Sequence, residues 1–87
     1  MLSELPNIGK TLEKRLRAIG VDTQEELGAL GSLGALKKLD AINDPGCINM
    51  LYALEGALRG VRWHKLPTDV KDELKFKLEA LHHGAVL

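Results

Sequence analysis

The 87-residue chain carries twelve basic and twelve acidic side chains, no net charge and 45% apolar residues. That is enough for one domain with a modest core, while the neutral balance argues against a strong free-standing nucleic-acid binder, which ordinarily has a basic excess. One cysteine excludes an internal disulfide framework, and three aromatic residues leave little for a base-stacking platform. No run approaches the ~20 apolar residues of a membrane span, and no secretory leader pattern is present. The expectation is a single soluble, cytoplasmic helical domain over residues 1–87, without membrane contact.

The first element is Leu5-Pro6-Asn7-Ile8-Gly9-Lys10, a Pro-led apolar turn that runs straight into an amphipathic helix. Pro6 fixes φ, and Gly9 is expected to let the chain turn without a Cβ clash. The N–H groups that follow lack intrahelical acceptors and sit at the positive end of the helix dipole, where an anion is favoured. This is the pattern of the hairpin in a helix-hairpin-helix element, and it makes Asn7, Gly9, Lys10 and Lys14 candidate phosphate or nucleic-acid contacts. Such a hairpin usually carries Gly-hydrophobic-Gly, and Asn7 replaces the first Gly. Asn tolerates positive φ, but its side chain would crowd a closely approaching phosphate. The same residues also fit a plain tight turn between two core helices.

A helix over about residues 10–19 places Leu12, Leu16 and Ile19 on one face, and Gly20 stops it. Thr23 with Glu26 three residues later forms a capping box for a second helix, with Leu27 and Leu30 inward. Gly28, Gly31 and Gly34 should keep that helix short and break it near Gly31-Ser32, after which Ser32 caps a third helix carrying Leu33, Leu36 and Leu39. Asn43-Asp44-Pro45-Gly46 is a turn. Residues 47–59 are apolar on almost every side, which marks a buried central helix, with Leu51, Leu54 and Leu58 in the core. Gly56 and Gly60 would let another helix approach its backbone closely. Thr68 is expected to cap a last helix that reaches about His82 and closes at Gly84, its core stripe made of Val70, Leu74, Leu78 and Leu81. The fold class is therefore all-α: a compact bundle of about five short helices with a helix-hairpin-helix-like element near the N-terminus.

The succession Leu5-Pro6-Asn7-Ile8-Gly9, Ile19-Gly20-Val21 with Thr23 and Leu27, then Cys47-Ile48-Asn49-Met50-Leu51-Tyr52-Ala53-Leu54-Glu55-Gly56-Ala57-Leu58, Gly60-Val61-Arg62-Trp63-His64 and Leu66-Pro67 resembles the C-terminal domain of the TfoX/Sxy family of competence regulators over about residues 5–76. Residues 83–87 form a tail beyond it. The resemblance implies a positive regulator of genes for natural DNA uptake in bacteria, acting alongside a cyclic-AMP-dependent activator at promoters. It implies no biochemical activity for this domain. Family members often carry an N-terminal domain that this sequence lacks, so an excised fragment or a stand-alone form is expected.

No catalytic constellation, cofactor fingerprint or metal-ligand spacing is present, and the chain reads as a non-enzyme. Cys47 follows a turn and begins a helix, where its thiol could be activated; a small buried thiol is the alternative and the expectation. His82 and His83 sit at a helix end, which suits cations. Lys10, Lys14, Arg15 and Arg17 are set against Glu13, and Arg59, Arg62 and Lys65 form a second basic stretch. Ordinary solvated faces also explain such runs. Trp63, between Arg62 and His64-Lys65, is expected to plug the core, the alternative being stacking on a base or a partner. Phe76 lies opposite the core stripe of its helix, among Asp72 and Lys75. With Arg59, Arg62 and Lys65 it is a candidate partner surface. Three functions remain open: a module docking on a transcription activator or polymerase component, a module making weak sequence-independent DNA backbone contacts, and a structural or dimerisation domain of a larger regulator.

Overall fold

The structure of the protein is a computed structural model describing residues 2–82. In chain order these form a 3-10 turn at Leu2–Glu4, helix α1 at Lys10–Ala18, α2 at Gln24–Ala41, α3 at Ile48–Arg59, a 3-10 turn at Trp63–Lys65 and α4 at Thr68–His82. The described residues contain no strand. His83, the expected stop at Gly84 and the tail 83–87 lie outside them.

The helices begin and end for local reasons. The Thr23 hydroxyl accepts the Glu26 N–H at 3.1 Å while Glu26 Oε1 accepts the N–H groups of Thr23 and Asp22 at 3.1 and 2.8 Å, the capping box expected for α2. Gly20, Asn43 and Gly60 follow α1, α2 and α3 with φ of 83°, 61° and 74°. Each reverses the chain so that the next N–H reaches back: Val21 to Leu16 O, Asp44 to Leu39 O and Val61 to Gly56 O, all at 2.9 Å. The positive φ at Gly60 thus serves as a helix stop, and no other helix approaches its backbone. At α4 the helix includes Thr68, and Pro67 takes the cap position, its carbonyl accepting the Lys71 N–H at 3.0 Å. Leu66, directly before the proline, is extended at φ −62° and ψ 140°, the conformation that a following Pro ring imposes.

The two helices expected between Thr23 and the Asn43 turn are both present, as two segments of α2 joined across a kink. The break falls at Gly31, whose φ of 77° and ψ of 166° are essentially open to glycine alone. Ser32 does not cap the second half. It is buried, and its hydroxyl donates to Glu55 Oε1 on α3 at 2.7 Å.

α3 lies in the middle, packed against α2, α4 and the Trp63 turn. Its Leu51, Leu54 and Ala57 are fully buried and meet Leu16 of α1, Leu27 and Leu36 of α2 and Leu74 and Leu78 of α4. Leu58, expected in the core, is only half-buried at the edge of this contact, beside Gly28, which offers it no side chain. Val70 and Leu81 pack against the cluster from its margin, so the α4 stripe is as expected. Cys47 is exposed at the cap position of α3, because the Asn43–Gly46 turn holds the helix start at the surface; the expected buried thiol is corrected.

Three carboxylates tie the ends of elements together. Glu13 on α1 is buried and accepts the Ser3 N–H at 3.0 Å, which caps the first 3-10 turn from a distance and holds the Glu13 carboxyl below its ordinary value. The Asp22 and Thr23 N–H groups do the same for Glu26. At Glu55 burial pushes the carboxyl up, but the Ser32 hydroxyl and the Arg59 guanidinium outweigh it and bring the value down. A lowered folded pKa adds stability that is complete above the ordinary carboxylate range and is lost as pH falls through the folded value. In urea melts, Glu13→Gln should therefore narrow the gap between neutral and acidic midpoints, since Gln still accepts the Ser3 N–H without titrating. An unchanged gap would place the acid sensitivity elsewhere. For the core, Leu54→Ala should cost roughly 2–5 kcal/mol by denaturant unfolding, and a cost below about 1 kcal/mol would contradict the central position of α3.

Candidate functional site

The hairpin of residues 5–9 is a tight turn with the Ile8 N–H on Leu5 O at 3.4 Å, Pro6 at its second position and Asn7 at its third with φ of 69°. Pro followed by a positive-φ residue is the type II arrangement. The residue with the special backbone is thus Asn7. Gly9 has φ −91° and ψ −177°, extended values that any residue adopts, so its expected role in turning the chain is corrected. Gly9 instead precedes α1 as a cap residue with no side-chain hydrogen bond to the helix N-terminus.

The Asn7 side chain points inward. Its amide Nδ2 donates to Val61 O at 2.9 Å and Ala53 O at 3.3 Å, and its Oδ1 accepts the Trp63 N–H at 3.1 Å. Both of its donors and its acceptor are engaged, so Asn7 fastens the hairpin to the end of α3 and to the Trp63 turn. Gly56 is what makes room. A Cβ there would lie 2.6 Å from Asn7 Nδ2, 2.7 Å from Val61 O and 3.2 Å from Trp63 Cα. The close approach that the sequence suggested at Gly56 is real, but the approaching group is a side chain and a loop, not a helix. An otherwise unexplained glycine inside a buried helix was the signal from which the clamp could have been found.

The clamp brings the hairpin next to Gly60 and Arg62 at the start of the second basic stretch. An open groove of ≈ 670 Å³ runs between the hairpin, residues 3–9, and Gly60 and Arg62, with Glu4 also on its wall. Most of the arginines, however, are already used. Arg15 forms a two-pronged bond with Asp44 at 2.8 and 2.9 Å and also donates to the Asp44 and Pro45 carbonyls at 3.2 Å, fixing the turn before α3. Arg17 pairs with Asp22 at 3.1 Å, and Arg59 pairs with Glu55 at 2.7 Å. Arg59 lines a different recess, of ≈ 260 Å³, at the Gly31 break, with Glu73 and Lys77 of α4. The side chains of Lys10, Lys14, Arg62 and Lys65 are exposed and form no hydrogen bond or ion pair among the described residues.

Trp63 is 36% exposed, which corrects the expectation of a core plug. Its backbone is held by Asn7, its ring lies on Tyr52 with centroids 6.1 Å apart at 15°, and the His64 ring stands edge-on at 6.0 Å. The Lys71 ammonium lies over both rings, 5.4 Å from the Trp63 centroid and 5.9 Å from that of Tyr52, and donates to His64 O at 3.4 Å. The Tyr52 hydroxyl donates to Lys71 O at 3.4 Å. Lys71 carried no sequence signal, because nothing local links it to residues 52 and 63. Phe76 is 70% exposed. It follows Lys71 by five residues, about 140° around the helix, so it faces away from the Trp63 cluster. Arg59 lines the recess at the Gly31 break, and Arg62 lines the groove at the hairpin.

The described residues hold no group of three or more His, Cys, Asp or Glu that could bind a metal, and no helix long and apolar enough to cross a membrane. The molecule is a small all-helical module led by a clamped hairpin. It belongs to the TfoX C-terminal domain family, whose model matches residues 1–78. Among solved structures it is similar to an uncharacterized protein from Listeria monocytogenes in a triclinic form, at 46% identity and a TM-score of 0.88 over 93% of this chain and 92% of that one. A protein of unknown function from Listeria monocytogenes in a tetragonal form matches at 46% identity and a TM-score of 0.85, over 91% of this chain and 98% of that one. No curated protein matches the chain.

Alanine inside a helix is ordinarily favoured over glycine by about 1 kcal/mol, so Gly56→Ala provides a sign test of the clamp. It should destabilise the fold by displacing Asn7, whereas a higher melting temperature would show that the clamp is dispensable. Asn7→Gly keeps the turn and removes three hydrogen bonds, and should cost about 1–3 kcal/mol.

Proposed function

We propose that the domain is a non-enzymatic regulatory module that takes part in transcriptional activation of natural competence through protein–protein contacts, with a transcription activator or polymerase component as partner. Membership of the TfoX C-terminal domain family supports the competence role. The observation that carries the protein-contact reading is Trp63: an exposed aromatic ring held rigidly by backbone, stacking and cation–π contacts, with unpaired Arg62 and Lys65 beside it. Rigid tryptophans flanked by arginine are typical anchors of protein interfaces. The clamped Asn7 and the self-paired arginines weaken the case for phosphate recognition.

A second reading keeps the start of α1 as a DNA backbone contact, favoured by its uncapped N-terminus next to Lys10. A third, self-association, is favoured by the exposure of Phe76. In a reporter strain driven by a DNA-uptake promoter, Lys10→Glu with Lys14→Glu should leave activation intact, and Trp63→Ser should reduce it. The purified domain should bind duplex DNA weakly at most, with a steep fall as salt rises. Tight binding that Lys10→Glu abolishes would overturn the protein-contact reading in favour of the DNA one. Loss of a dimer in Phe76→Ser by sedimentation would favour the third.

A further inference from the structure

We infer that residues 62–65, together with Lys71, form a docking site for an acidic peptide segment of a partner protein, one that carries apolar or aromatic side chains among its carboxylates. This deepens the protein-contact reading above and rests on it. The turn presents Arg62, Trp63, His64 and Lys65 as four consecutive exposed residues between half-buried Val61 and buried Leu66. Arg62 and Lys65 have no acidic partner among the described residues, although Arg15, Arg17 and Arg59 each have one. Lys71 adds a third positive charge directly over the aromatic pair. The neighbouring carboxylates, Asp69 in the first turn of α4 and Asp72 next to Lys71, form no ion pair with any of them among the described residues. An uncompensated positive cluster around an apolar ring is complementary to a negative segment with an apolar anchor, and such complementarity sets specificity and register.

Tyr52 and the Lys71 ammonium lie on one side of the Trp63 ring and leave its other side to an occupant. A chain with no net charge and three aromatic residues favours a peptide over a nucleic acid there. The peptide's carboxylates reach Arg62, Lys65 and Lys71 while an apolar side chain packs on the exposed part of the indole. The turn is preorganised, because Asn7 and Leu66 fix its two ends through the Trp63 N–H and through burial. Little ordering is then left to offset on binding.

Trp63 is the only tryptophan of the chain, so its emission reports this surface alone. The full chain would be titrated with a synthetic peptide alternating Glu or Asp with Leu and Phe, with the same peptide carrying Gln and Asn instead, and with a mixed-sequence single-stranded oligonucleotide. The acidic peptide should give a saturable emission change that the uncharged peptide does not give. The double variant Arg62→Glu, Lys65→Glu should bind the acidic peptide at least about tenfold more weakly, with an unchanged melting temperature because both side chains are exposed and unpaired. Equal response to both peptides, no saturation, or a preference for the oligonucleotide would overturn the inference. If the double variant fails to bind the acidic peptide yet activates the reporter fully, this docking site is overturned while the protein-contact function stands.

Discussion

The side-chain amide of Asn7 joins three stretches that are far apart in sequence: the N-terminal hairpin, the last turns of α3 and the loop that carries Trp63. It does so from a left-handed backbone position that completes a Pro-led turn, so one residue sets both the local fold and the long-range tie. Each hydrogen bond adds only about 1 kcal/mol net, but an unmet amide in this place would cost more than a met one contributes. The absence of a Cβ at Gly56 is the matching half of the contact. Without it the hairpin could not seat, and the Trp63 turn would lose the acceptor that fixes its first N–H.

Around that clamp the charged residues divide into two groups. One group is used within the molecule: Arg15 on the Asp44 turn, Arg17 on Asp22, Arg59 on Glu55, Glu13 on the first 3-10 turn. Arg17–Asp22 is exposed on both sides and the others are partly covered, and the pairs serve to organise helix ends. Others, Lys10, Lys14, Arg62 and Lys65 among them, face solvent with no side-chain partner among the described residues. A net charge of zero therefore does not describe a uniformly neutral surface. It combines self-paired arginines with exposed cations whose side chains have no partner among the described residues, Arg62 and Lys65 standing beside the exposed indole in the chain.

The family and the Listeria monocytogenes structures fix the architecture but do not by themselves assign a chemistry, since a fold hosts function only through the site built on it. On this chain's surface the Trp63 ring, held by Asn7, Tyr52 and Lys71, stands beside the exposed Arg62 and Lys65. Phe76, on a different face of α4, is independent of it.

The sequence alone determined the elements whose causes are local. Thr23 with Glu26, Gly20 and Gly31, the Pro6 turn and the 3.6-residue stripe of α4 act over a few residues, and each is found where the pattern placed it. Asn7 was legible as a residue that accepts positive φ, and Phe76 as one that faces away from the core. Tertiary structure decided what the polar side chains do. Whether Asn7 turns outward to a ligand or inward to Val61 and Trp63, whether Ser32 caps a helix or bonds Glu55, and whether Trp63 is buried or stands beside Tyr52 under Lys71 depends on groups dozens of residues away. Hydrogen bonds and ring contacts act over a few ångströms with strict geometry, and local periodicity carries no information about which distant segment will come within that reach.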